Sequence, residues 1–128
     1  MEIVTQNATT LAWIGDGLMS LRVRLYLVEK GYQNAHKLQE KSAKLCSAKG
    51  QSKILNILKE ENFFNADELE ILHRGRNATI HSKAKNASGK EYLEATAIEA
   101  CLGYLYLYGH QKRLEDLLDR IIEIGETI

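Results

Sequence analysis

Two acids stand where a helix built only for stability would not put them. Asp16 lies within Gly15-Asp16-Gly17, inside a stretch whose apolar residues recur at helical spacing. Each glycine in a helix interior costs about 1 kcal/mol relative to alanine, and a carboxylate on a mostly apolar face needs a cation, hydrogen bonds or solvent. Glycines at these positions let another backbone or a substrate come close, and the carboxylate offers oxygen ligands to a hard divalent cation. The competing reading is an aspartate paired with Arg or Lys. Glu99 has the same character, as the one acid within Ala95-Thr96-Ala97-Ile98-Glu99-Ala100-Cys101-Leu102. On a helix Tyr92, Thr96, Glu99, Gly103 and Tyr106 share a stripe that leaves room beside the carboxylate for a metal or another helix. A structural hydrogen bond explains Glu99 equally well. If the two acids meet at one ion, they form a site suited to lowering the pKa of a water and stabilising a phosphoryl transition state.

The charge pattern points to a phosphate partner. Residues 41–59 contain Lys41, Lys44, Lys49, Lys53 and Lys59, and residues 71–90 contain Arg74, Arg76, Lys83, Lys85 and Lys90, with no acid in either stretch. The chain total of 17 basic and 17 acidic residues therefore hides +10 in these segments against −10 elsewhere. Such blocks suit a nucleic-acid backbone, and Arg74-Gly75-Arg76-Asn77 adds forked donors beside a glycine. Solvated surface is the alternative for each run taken singly. The four histidines show no zinc-ligand spacing, and no Gly-rich phosphate loop or nucleophile elbow is present. Tyr104, Tyr106 and Tyr108 read as core or subunit-interface residues rather than a base-stacking platform.

Helices must position these groups. The chain has 128 residues, 45% hydrophobic and 27% charged, with no proline, which suits one mostly helical domain spanning 1–128 and excludes wholesale disorder. A first helix is expected over 9–30, with one apolar row at Leu11, Ile14, Leu18, Leu21, Leu25 and Val28 and a second at Ala12, Met19, Val23 and Leu27, so that it is buried on two sides. A short helix follows Asn34, and residues 42–60 read as one helix with Ile54, Leu55 and Leu58 inward. Asn65 is an N-cap for a helix to about Arg74, residues 73–89 read as a loop, and helices over 90–108 and 111–124 break at Gly109. The architecture is an all-α bundle. No stretch approaches the roughly 18 apolar residues of a membrane span, and the N-terminus does not read as a signal peptide. Cys46 and Cys101 match no metal or redox spacing and are expected to be reduced thiols, so the expected location is the cytoplasm.

The segment Leu11-Ala12-Trp13-Ile14-Gly15-Asp16-Gly17 resembles the signature of the ribonuclease III endonuclease domain, and Ile98 to Leu107 resembles its second acidic helix. Ser47-Ala48-Lys49-Gly50-Gln51 and Arg74-Gly75-Arg76-Asn77-Ala78 resemble the mini-ribonuclease III branch, which has the nuclease domain without a double-stranded-RNA-binding domain. The resemblance covers nearly the whole chain. It implies a ribonuclease III endonuclease-domain-like helical bundle, a homodimer with one site per subunit, Mg2+ dependence, and cleavage of double-stranded RNA. It further implies maturation of the ends of 23S ribosomal RNA precursor. A domain this small contacts little RNA by itself, so substrate shape or a partner, such as a ribosomal protein presenting the RNA, is expected to supply much of the specificity. Carried over by position, Asp16 and Glu99 become the catalytic and metal-binding acids. Arg74, Arg76, Asn77, Lys83, Lys85 and Lys49 are the candidate RNA-binding residues. Ala12 and Thr96 stand where longer members of the family carry two further acids. A catalytically silent double-stranded-RNA-binding module of the same fold is therefore the alternative, and a scaffolding helical dimer a third.

Overall fold

Short polar side chains start the first four helices. In the computed structural model, which describes residues 2–78 and 89–128, Asn7 caps α1 (Ala8–Glu29) by accepting from the Thr10 amide at 2.8 Å. The chain leaves α1 through Gly31, at φ 95°. Asn34 caps α2 (Ala35–Cys46) in the same way. Residues 42–60 are not one helix as expected. Ser47, at ψ 159°, interrupts them and caps α3 (Ala48–Glu60) by accepting from the Gly50 amide at 3.0 Å, the usual preference of serine for a cap over a helix interior.

A capping box between Asn65 and Glu68 opens α4 (Ala66–Arg76). Glu68 is 1% exposed and takes a forked pair of hydrogen bonds from Arg113, so the cap of α4 also ties down α6 (Gln111–Gly125). Between them α5 (Gly89–Leu107) runs through the middle, packed against α1, α3, α4 and α6, and Gly109 at φ 77° turns the chain into α6. One apolar cluster draws on all six helices, among them Leu11, Met19, Leu45, Leu55, Ile71, Ile98 and Leu117. The described residues contain no strand, and no helix among them is long and apolar enough to cross a membrane.

Two expectations change. His73 to Arg76 lie in the last turn of α4 rather than in a loop, because Gly75 packs into α5: a Cβ there would come within 2.6 Å of the Ala97 Cα. The first helix buries its second apolar row, Ala12, Met19, Val23 and Leu27, whereas Leu21, Leu25 and Val28 of the first row are 58%, 51% and 62% exposed. The cause is the side on which α5 lies. Backbone meets backbone where α1 crosses α5, with a Cβ on Gly15 falling 1.8 Å from the Glu99 carbonyl oxygen and one on Gly103 falling 2.0 Å from that of Leu11. The face bearing Gly15 makes that approach, and the C-terminal part of the other row, from Leu21 to Val28, is left open in a single chain.

Gly15→Ala and Gly103→Ala should each destabilise the chain by about 1–3 kcal/mol or more, since the obstructing atoms are backbone. Gly17→Ala, with nothing within 4 Å of the added carbon, should stabilise it by up to about 1 kcal/mol. Urea denaturation midpoints of the three variants check this opposition.

Candidate active site

The α1–α5 crossing puts the two singled-out acids side by side. Gly15, which meets the backbone of Glu99, is followed by Asp16, and the Asp16 carboxyl reaches hydrogen-bonding contact with that of Glu99. Asp16 is exposed and Glu99 is half-buried, so the pair has an open side and a closed side. Burial first, then the hydrogen bond and negative charge of Asp16, push the Glu99 carboxyl up to about 8, while a hydrogen bond from Gln51 pulls it down. Neither acid is ion-paired with Arg or Lys among the described residues.

The closed side comes from the α2–α3 junction. Gln51 is 3% exposed; its Nε2 donates to the Cys46 carbonyl oxygen at 2.9 Å and to Glu99 Oε2 at 3.2 Å. The Cys46 thiol also lies close enough to feel both acids, whose charges raise its pKa further after burial has done so. Both cysteines are free. No cluster of three or more His, Cys, Asp or Glu able to hold a metal occurs among the described residues. The acid pair nevertheless fits a small hard cation. It offers oxygen ligands on one exposed edge, and burial together with the neighbouring Asp16 favours a proton on Glu99 that a divalent ion would displace.

Basic groups lie near the α2–α3 junction and at the end of α4. Lys49 is exposed in the first turn of α3, two residues before Gln51, and lines a shallow cleft of about 210 Å3 with Lys44 and Lys53. Arg74 and Asn77 border an open cleft of about 550 Å3 together with His73 and the start of α1 at Asn7 and Thr9, roughly 10 Å along the helix from Asp16. Arg74 also pairs with Glu70 at 3.2 Å, and Arg76 is exposed. Lys83 and Lys85 lie outside the described residues. Of the tyrosines, Tyr104 is buried and donates to Glu2, Tyr108 donates to Gln6, and Tyr106 is exposed.

Gln51 was missed as a site residue by reasoning from sequence, although its position carried a signal. It occupies the inward face of α3, one turn before Ile54 and Leu55, where an apolar residue is the norm. The close approach read from Gly15 and from the stripe that includes Gly103 is present, and the structure identifies the two helices that make it as α1 and α5.

An all-helical domain with an acid pair at a helix crossing is an arrangement suited to phosphodiester cleavage. The chain belongs to the ribonuclease III family: the Ribonuclease III domain model matches residues 9–110. It is similar to the Mini-ribonuclease 3 of Staphylococcus aureus (strain NCTC 8325 / PS 47), 45% identical over 118 residues, covering 92% of this chain and 88% of that protein. The Mini-ribonuclease 3 of Streptococcus pneumoniae (strain ATCC BAA-255 / R6) is 38% identical over 91% of both chains. A Fusobacterium nucleatum protein solved by crystallography superposes with a TM-score of 0.79 at 27% identity, covering 91% of this chain and 92% of that one. Membership makes the chain an endoribonuclease that acts on RNA.

The acid pair has a cost in stability that depends on pH. The Glu99 carboxyl lies near 8 in the folded chain against an ordinary 4.5, so between these values the folded state keeps a proton that the unfolded state releases. Stability from this group is therefore lost as pH rises from about 4.5 and the loss is complete above about 8. Glu99→Gln should raise the melting temperature of the cation-free protein by several degrees at pH 8 and leave it nearly unchanged at pH 4.5, which a pH series of thermal melts checks.

Proposed function

We propose that the chain is a Mg2+-dependent endoribonuclease that cleaves double-stranded RNA as a homodimer, and that its substrate in the cytoplasm is the precursor of 23S ribosomal RNA. The observation that carries this reading is the contact between the Asp16 and Glu99 carboxyls at the glycine crossing of α1 and α5. A bound Mg2+ supplies positive charge that acidifies a coordinated water and neutralises phosphoryl oxygens. Asp16, on the open side, faces the substrate and offers the first oxygen ligand. Glu99 offers the second once it has lost its proton, and its half-buried position keeps it from swinging into solvent.

Lys49 on one flank and Arg74, Arg76 and Asn77 on the other take backbone phosphates, and the basic run continues in sequence through Lys83 and Lys85. Phosphates and 2′-hydroxyls of A-form RNA are reached across a wide minor groove, so base reading is not required. The open row of α1, Leu21, Leu25 and Val28, supports the homodimer, because a second copy would give that row the burial its sequence pattern calls for. Two such sites would serve the two strands of a duplex. The size of the domain limits how much RNA one copy touches, which supports a ribosomal protein as presenter of the precursor.

Cleavage of a structured RNA duplex with Mg2+ and with chelator tests the reading. Asp16→Asn and Glu99→Gln should each lose at least about 100-fold in cleavage while still binding duplex; undiminished cutting by Asp16→Asn contradicts it. Replacing Lys49, Arg74 or Arg76 by Ala should weaken binding across sequences and reduce the slope of log affinity against log salt by about one for each phosphate no longer neutralised. Leu25→Asp should shift sedimentation towards the single chain.

A further inference from the structure

Gln51 directs both amide hydrogens to acceptors that belong to different parts of the molecule. One is the carbonyl of Cys46, the last residue of α2, and the other is Glu99 Oε2. Turning the amide over would set its oxygen against two acceptors, so the hydrogen bonds fix the orientation. In that orientation Gln51 Oε1 is the buried side-chain polar atom left without a hydrogen-bond partner among the described residues. An unsatisfied buried acceptor is a liability that an apolar side chain of similar length would remove. The two donated hydrogen bonds are set against this orphaned oxygen, so glutamine here calls for a reason besides stability.

Its location supplies one. Gly50 lets the first turn of α3 fold against the end of α2, since a Cβ there would lie 2.2 Å from the Lys44 carbonyl oxygen. The next residue, Gln51, is thereby anchored on a helix end that does not belong to the α1–α5 crossing. From that anchor it holds one oxygen of Glu99. With the two acids in contact and neither ion-paired to Arg or Lys among the described residues, the rotamer of Glu99 has this amide as its fixed support.

We propose that Gln51 is a positioning residue, whose amide, anchored on the Cys46 carbonyl, orients the Glu99 carboxylate beside Asp16 for binding a divalent cation. The inference rests on the reading of Asp16 and Glu99 as the cation-binding pair. Residues that orient metal ligands typically change affinity or activity about 10–100-fold when removed.

Mn2+ binding followed by electron paramagnetic resonance tests the proposal on the parent, Asp16→Asn and Gln51→Met, with Gln51→Asn as a second variant too short to span both acceptors. The expected result is Mn2+ affinity about 10-fold or more weaker in both Gln51 variants. The Mg2+ concentration for half-maximal cleavage should rise by a similar factor. Duplex RNA binding in chelator and the melting temperature of Gln51→Met should stay close to the parent's. If Gln51→Met fails to fold, Gln51→Asn carries the same comparison. Parental Mn2+ affinity in a folded Gln51 variant overturns the proposal, as does loss of RNA binding in chelator in step with loss of Mn2+, which marks a merely structural role. A parent whose Mn2+ binding is unaffected by Asp16→Asn overturns it together with the reading beneath it, and the Asp16 variant tells that failure from the others.

Discussion

The crossing of α1 over α5 is the constraint on which the site depends. Helices usually keep their axes 8–10 Å apart because side chains fill the space between them. Here carbonyl oxygens occupy the positions where Cβ atoms of Gly15 and Gly103 would be. The contacts come as an antiparallel pair, Gly15 on Glu99 and Leu11 on Gly103, with three residues between them on each helix. That pairing sets the register as well as the distance. Asp16 follows one glycine, and Glu99 is itself the residue whose backbone that glycine touches, so meeting of the two carboxyls is a consequence of the same packing.

The remaining helices supply the stability that holds together a pair that repels itself. Ile98, Ala100, Leu102 and Leu105 of α5 are buried around Glu99, and the Glu68–Arg113 fork binds α4 to α6 behind it. Burial keeps Glu99 from ionising freely, whereas exposure of Asp16 leaves the pair open to substrate on one edge. The same carboxyls repel an RNA phosphate unless positive charge intervenes. In the proposed reading, lysines near the α2–α3 junction and arginines at the end of α4 would supply some of it, and the divalent ion would supply the rest at the point of cleavage.

Much of this was legible in the sequence, for reasons that particular residues make clear. Asp16 and Glu99 stood out because each was polar where its helix was apolar, and the motifs around them matched the family to which the chain belongs. Caps at Asn34 and Asn65 and the turn at Gly109 were readable because short polar side chains and glycine have few other uses there. The break at Ser47 was not, since residues 42–60 keep a helical pattern on both sides of it. Nor was the side of α1 that faces the core: two apolar rows compete, and only the glycine contacts with α5 choose between them. Gln51 needed three dimensions, because its partners are a helix-end carbonyl and an acid 48 positions away.

The central claim is that this crossing builds one divalent-cation site from Asp16 and Glu99. Anomalous diffraction from crystals grown with Mn2+ tests it most directly. The account predicts a strong peak between the two carboxyls, within about 2.0–2.6 Å of an oxygen from each, as expected for a small hard cation. A peak that avoids both residues, with the protein active under the same conditions, would contradict it.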